Sequence, residues 1–437
     1  MTPHAPIRPE GTGPRGVAHF IEPLARAYFN GVLPVRLRAW DGSEAGPADA
    51  PVLVLRDRAA LRRVIASPGE LGFARAYISG DLDVEGDLAD GFRRLWASVR
   101  EHGTRRLTPL EAASAVRVAL AVGAVGTPPP VPVSEARLSG GVNTPDRDAA
   151  AISHHYDLSN DLYALFMDDS MAYSCAYWTS DDPGYTLADA QNDKLDLVCR
   201  KLGLGPGTHL LDVGCGWGSL TLRAAEHWGA RVTAVTLSAE QLEHVRKQVA
   251  QRGLTDLVEV RRQDYRDIDD GPFDAVSAIE MGEHVGKRNY PVFAQRLYAL
   301  VRPQGRVLVQ QMSRRRGDYP GGGPFIESYI APDMHMRPLG ETVALIEEAG
   351  LEVRDVHGLR EHYVRTVDAW YATFEERYAE VVALVGEEMA RVWRLYLVGG
   401  GLAFEENRMG VDQILAVRPT GDGRSGLPAL RDFTPVR

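Results

Sequence analysis

From residue 185 onward, short apolar runs alternate with amphipathic stretches. His209-Leu210-Leu211, Arg231–Val235, Val258–Val260, Ala275–Ile279 and Arg306–Val309 have the length and apolar character of strands. Ser219–Trp228, Ala239–Gln251 and Tyr290–Leu300 repeat apolar positions at helical spacing between them. Strands alternating with helices predict an α/β fold with a mostly parallel, doubly wound sheet. Nearer the N-terminus the rhythm differs. Leu33–Trp40 alternates like a strand and ends at the turn signal Asp41-Gly42, and Val52–Leu55 reads as a short buried strand. Asp57–Ile65 reads as a helix capped by Asp57. Phe73–Leu88 mixes apolar, Gly and acidic residues before a helix over Phe92–Val99. These features predict a smaller mixed domain over residues 17–100. Residues 1–16 are Pro/Gly-rich and are expected to be disordered. Residues 101–150 hold one apolar helix and then TPPPVPVSEARLSGGVNTPDRD, a composition that cannot bury a core and so reads as a linker or lid. The main domain is expected over 151–437.

Composition narrows the class. The 437 residues are 44% hydrophobic and 25% charged, enough apolar content for a buried core. Three cysteines cannot build a disulfide framework and fit a reducing cytoplasm. The N-terminus shows no apolar signal segment. The most apolar stretch, Leu107–Val125, contains Glu111 and Arg117 and soon meets Pro128-Pro129-Pro130. A membrane span needs about 20 predominantly apolar residues, so membrane contact is expected to be peripheral, at the inner face. A net charge of −10 argues against wholesale attraction to nucleic acid or anionic lipid; Arg314-Arg315-Arg316 is a candidate local basic patch, though a short Arg run more often reads as a solvated loop.

The strongest chemical signal is Leu210-Leu211-Asp212-Val213-Gly214-Cys215-Gly216-Trp217-Gly218. A buried strand runs into a glycine loop that opens a helix, so backbone amides can approach a ligand closely. The spacing is GxGxG, unlike the GxGxxG of a dinucleotide site. Asp212 at the strand end suits the α-amino group of a methionine moiety. Thr236 and Gln241 follow the second strand, where a ribose would lie. Asp264 could accept from an adenine amino group and Tyr265 could stack on its ring. A bare glycine turn without a ligand is the competing reading, and these later residues weigh against it.

His155-Tyr156-Asp157-Leu158-Ser159-Asn160-Asp161 and Tyr173-Ser174-Cys175-Ala176-Tyr177-Trp178, with DVGCGWG (212–218), VTLSAEQ (235–241), QDYRD (263–267) and EHVGKRNY (283–290), resemble the signature of cyclopropane-fatty-acyl-phospholipid synthases. That family includes mycolic acid cyclopropane synthases and relatives that make methyl- or methylene-branched fatty acids. Glu280-Met281 before Glu283 resembles its actinobacterial branch. The resemblance implies a class I S-adenosylmethionine (SAM)-dependent methyltransferase fold with a mostly parallel seven-stranded sheet. It implies transfer of a one-carbon unit from SAM to the double bond of an unsaturated phospholipid acyl chain. Tyr156, Tyr173 and Ser174 would help hold SAM beside Asp212, Gly214, Gly216 and Gly218. The base in this family is thought to be bound bicarbonate. Its site would be formed by Cys175, largely through its backbone, with Glu283 and Tyr363. Gln310 stands where cyclopropane synthases commonly have His, which favours a branched over a ring product.

Bland readings compete at several positions. Cys175 reads as a small buried thiol, since no Cys-His arrangement accompanies it, and Cys215 as a small loop residue. His154, His155 and His284 lack a further ligand cluster, so no metal is expected. Glu283 could be a helix-capping acid and Tyr363 a core aromatic. Glu388–Phe404, with Val392, Leu395, Tyr396 and Leu402 on one side, reads as core packing or as part of an acyl tunnel. Two other functions compete: a SAM methyltransferase for a soluble small molecule, and a non-enzymatic lipid-binding protein. A homodimer and a reductase partner are left open by the sequence.

Overall fold

The computed structural model describes residues 16–136 and 160–429, which divide into two compact units at Val133/Ser134. The first unit carries four strands: β1 (Arg36–Arg38), β2 (Glu44–Ala45), β3 (Val52–Leu55) and β4 (Leu82–Glu85). They form a sheet in the order β2-β1-β3-β4, with β1 and β3 parallel and the other pairs antiparallel. β1 is shorter than the alternation over 33–40 predicts, because the chain turns at Asp41 and pairs back through β2. The helix Arg58–Ala66 is capped as expected, with the Asp57 carboxylate accepting from the Ala59 amide at 2.7 Å. The unit does not stop at residue 100. A helix over Pro109–Ala121, begun by a capping box between Thr108 and Glu111, belongs to it and packs on the helix Val17–Tyr28. The stretch expected as a linker is therefore partly structured; residues 137–150 lie outside the described residues.

The second unit holds seven strands: β5 (His209–Val213), β6 (Arg231–Thr236), β7 (Val258–Arg262), β8 (Phe273–Ile279), β9 (Val301–Ser313), β10 (Glu352–Gly358) and β11 (Gly410–Val417). Their order is β10-β11-β9-β8-β5-β6-β7, and only β11 runs antiparallel to its neighbours. The helices Ser219–Trp228, Ala239–Gln251 and Tyr290–Leu300 lie where the periodicity predicts them. β5 is buried from Leu210 to Val213, as a central parallel strand covered on both faces must be. Successive connections run outward from β5 through β6 to β7, then return to β8 on the other side of β5. The carboxyl ends of β5 and β8 thus form the switch point, where open α/β sheets bind their ligands.

A third layer of packing lies beyond those strand ends. The helices Asn160–Phe166, Arg360–Glu376 and Tyr378–Glu405 bury an aromatic cluster that includes Tyr163, Phe166, Trp217, Trp370 and Trp393. Tyr173 lies flat against Trp370, with ring centroids 5.4 Å apart. Val392, Leu395 and Leu402 of the C-terminal amphipathic stretch are buried here, so that face packs into the protein.

Candidate active site

A cavity opens at the switch point and is lined from β5 by Asp212, Gly214 and Gly216, from β6 by Thr236 and Gln241, and from β7 by Asp264 and Tyr265. Gly214 and Gly216 have φ of +77° and +55°, left-handed values that glycine adopts without steric cost. A Cβ added at Gly216 would meet no heavy atom within 4 Å, so the space beside this backbone is open to a ligand. Asp212 is buried, and its carboxylate accepts from the Thr221 hydroxyl at 2.7 Å and the Ser277 hydroxyl at 2.8 Å. These bonds orient it; a carboxylate has further lone-pair directions for an amino group. Thr236 donates to Gln241 Oε1 at 2.7 Å, joining the two residues expected near a ribose. The Asp264 carboxylate is bridged to Arg266 at 2.6 Å, and Tyr265 packs edge-on against Phe293, 5.4 Å between centroids. Both also line the cavity. Tyr156 lies outside the described residues. Tyr173 and Ser174 line the same cavity.

The acid–base residues depart from expectation. The sequence places Glu283 with Cys175 and Tyr363, but the structure brings Glu280 to them. The Cys175 amide donates to Glu280 Oε1 at 2.8 Å, the Gln310 side-chain amide donates to the same oxygen at 2.8 Å, and the Tyr363 hydroxyl donates to Oε2 at 2.7 Å. Gln310 is held in that orientation because Gln413, opposite it on β11, donates to its Oε1 at 2.9 Å. Glu280 follows β8 directly, and its φ of +50° is a left-handed conformation uncommon for non-glycine residues. Glu283, three residues on in a single 3₁₀ turn, points elsewhere. Its Oε1 accepts from the Met312 amide, and among the described residues its buried Oε2 has no partner.

The two carboxyl groups sit in different surroundings. Burial, reinforced by the nearby Glu280 charge, pushes Glu283 up to about 8, so it carries its proton at neutral pH. Burial also raises Glu280, but three donors and the Lys194 charge favour its ionised form and oppose that rise. Glu280 thus has three hydrogen-bond donors on its carboxylate where Glu283 has the Met312 amide. Lys194, buried on the helix Leu187–Leu202, donates to the Ser174 hydroxyl at 2.9 Å and faces Glu280, Asp168 and Asp212. The sequence reading passed over it. Its signal is a lysine within the stripe Ala190, Gln191, Leu195, Val198 that the helix buries. Cys175 contributes its amide; burial raises its thiol well above the ordinary range, as it does for Cys215, so neither thiol is a ready nucleophile.

A seven-stranded sheet of this order, with a glycine loop and an open cradle at the switch point, defines a class I SAM-dependent methyltransferase. The cradle fits SAM: glycine backbone beside open space, an acidic strand end, and polar groups after the second and third strands. A family profile described as "Mycolic acid cyclopropane synthetase" matches residues 143–414, and the chain belongs to that family. A probable fatty acid methyltransferase of Pseudomonas putida is 39% identical over 406 residues, 92% of this chain and 96% of the relative. A second, from Mycobacterium tuberculosis, is 37% identical and covers 90% of this chain and 93% of its own length. The structure of a mycolic acid cyclopropane synthase complexed with SAH and CTAB superposes with a TM-score of 0.58 at 32% identity. It covers 61% of this chain and 97% of the solved one.

Proposed function

We propose that this enzyme transfers the SAM methyl group to the double bond of an unsaturated fatty-acyl chain carried on a phospholipid and releases a methylene-branched acyl product. SAM supplies an electrophilic methyl on a sulfonium. The protein's part is to hold the alkene in line, keep water out and remove one proton afterwards. The observation that carries this reading is the aromatic cluster beside the cavity. The aromatic rings of Tyr173, Tyr363 and Trp370, together with Trp217 of the glycine loop, belong to one buried cluster that reaches the Glu280 carboxylate. An acyl chain finds apolar surface there, a cationic carbon finds aromatic faces, and a single anion stands at its edge.

The branched outcome is supported by the relatives that align with both units, which carry the name fatty acid methyltransferase. The cyclopropane synthase structure corresponds to about three-fifths of the chain. A saturated methyl branch would further require a hydride from a separate reductase. We place the enzyme at the inner face of the membrane as a peripheral protein. No helix among the described residues is long and apolar enough to cross a bilayer. Leu110, Val116 and Leu120 are exposed on the helix Pro109–Ala121 with Arg117 among them, apolar side chains beside a cation that suit contact with a lipid surface. Mass spectrometry of phospholipids from cells expressing the protein tests the reaction. The expected product gains one CH2, and ozonolysis then cleaves it at the branch. A lipid profile identical to that of the empty host would refute the reading.

A further inference from the structure

The resemblance in sequence gives the proton-removing role to bicarbonate, held by the Cys175 backbone, Glu283 and Tyr363, beside position 310. In this chain those donors are already committed. Cys175 N–H, Gln310 and Tyr363 all donate to the carboxylate of Glu280. A carboxylate presents the same planar pair of anionic oxygens as bicarbonate, at the end of a side chain instead of free in solution. Glu283 does not restore the missing place, because its Oε1 takes the Met312 amide and the three donors remain on Glu280. Bicarbonate therefore does not fit this site.

We propose that Glu280 is a built-in general base that stands in the anion position of this site and makes the enzyme independent of bicarbonate. The proposal rests on the methyl-transfer reading above. In that reaction the alkene π pair forms the new carbon–carbon bond while the sulfur keeps the pair of its broken S–CH3 bond. The acyl-chain cation then loses one proton to Glu280. The freed C–H pair closes a three-membered ring or, after a 1,2-hydride shift, a C=CH2 double bond. Glu280 returns the proton to water, and no oxidant, reductant or further reactant is needed. Oε1 accepts two hydrogen bonds and Oε2 one, so Oε2 keeps a lone pair for that proton.

Three features of the chain fall into place together. A fixed glutamate anion needs only a neutral donor beside it, which is what Gln310 supplies and what Gln413 orients. The left-handed φ of +50° at Glu280 is the backbone conformation that carries this side chain back over the carboxyl end of β8. Lys194, buried beside the site, opposes the cost of a buried carboxylate.

The test uses the full-length protein, labelled SAM and unsaturated phospholipid vesicles in CO2-depleted buffer, with and without added bicarbonate. Wild-type turnover is expected to change less than about twofold on addition. Glu280→Gln is expected to lose about 100-fold or more, the range of general-base catalysis, and to gain nothing from bicarbonate. Glu280→Gly suits the left-handed backbone and vacates the anion position. It is expected to recover about tenfold or more with bicarbonate or formate, within that same range. SAM affinity by calorimetry should be retained in both variants, which separates loss of the base from loss of fold. Independently of turnover, 13C NMR of labelled bicarbonate with the SAH-loaded protein should detect saturable binding to Glu280→Gly and none to wild type. Bicarbonate-stimulated turnover or saturable binding in the wild type would overturn the proposal, as would a fully active Glu280→Gln. If the wild type methylated no lipid, the substrate reading would fall, while the NMR result would still decide what occupies the anion position.

Discussion

Glu283→Gln isolates the cost of a buried acid. Burial and the Glu280 charge raise Glu283 from 4.5 to about 8. In the unfolded chain this carboxyl ionises near its ordinary value. Between those limits the native state holds a proton that the unfolded state has released. Stability from this group is therefore greatest below pH 4.5, falls as pH rises, and levels off above about 8. At pH 7 the interval is roughly 2.5 pH units; at about 1.4 kcal/mol each, the native state has lost roughly 3 kcal/mol relative to acid conditions. Glutamine keeps an oxygen for the Met312 amide and does not titrate. Its other effects are pH-independent, so only the change with pH matters. At about 2 °C per kcal/mol for a unit of this size, the melting temperature of the variant relative to wild type should rise by roughly 6 °C between pH 4.5 and pH 7. Thermal melts of both proteins across that range measure it. A difference that stays constant with pH would show that Glu283 is ionised in the fold and would refute the division of roles between the two carboxyl groups.

Other outcomes follow from the same geometry. Turnover of Glu283→Gln should stay within about tenfold of wild type, in contrast to the roughly 100-fold loss expected at Glu280, and steady-state kinetics of the two variants compares them directly. Tyr363→Phe removes the donor to Glu280 Oε2, a charge-assisted bond worth about 1.5–3 kcal/mol. Its loss raises the Glu280 pKa, so the acid limb of the pH–rate profile should move to higher pH; an unmoved limb would mean Tyr363 is only a core aromatic. Gly216→Val places a side chain in the open space beside the loop and should weaken SAM binding by about tenfold or more, some 1.4 kcal/mol, while Gly216→Ala, which carries the same left-handed strain, weakens it less. Calorimetry showing unchanged affinity in the Val variant would remove the loop from the SAM site. Gln310→His should shift the product toward cyclopropane if this position steers the cation; NMR of the isolated acyl chains reads the ratio, and an unchanged ratio assigns that control elsewhere.

Much of the second unit was legible because its strands are short apolar runs closed by turns, and the glycine loop named its own place at the end of β5. The edge of the sheet was harder. β10 reads Glu-Val-Arg-Asp-Val-His-Gly, and a strand exposed along one side carries too many charges to stand out from a loop. In the first unit β2 is two residues long, below what alternation can detect. The exchange of Glu283 for Glu280 has a different cause. Motif spacing fixes which residues enter the turn after β8, but which carboxylate faces the cavity depends on the left-handed backbone at Glu280 and on the turn at 282–284. Neither leaves a mark in residue order, since glutamate is not a residue expected at positive φ. Lys194 was hidden for the opposite reason: its helix reads clearly as amphipathic, and a lysine is ordinarily assigned to the solvated side.

β11 enters the sheet between β9 and β10, and it brings Gln413, the residue that aims Gln310 at Glu280. The nucleotide half of the cavity is built from β5 to β8, more than a hundred residues earlier in the chain. During synthesis the cofactor cradle can therefore take shape while the proton-removing half is still missing a strand. A chain ending before residue 410 lacks the strand that orients its base site. β10 meets the rest of the sheet only through β11, so this last described strand both joins the edge strand to β9 and carries Gln413 to Gln310.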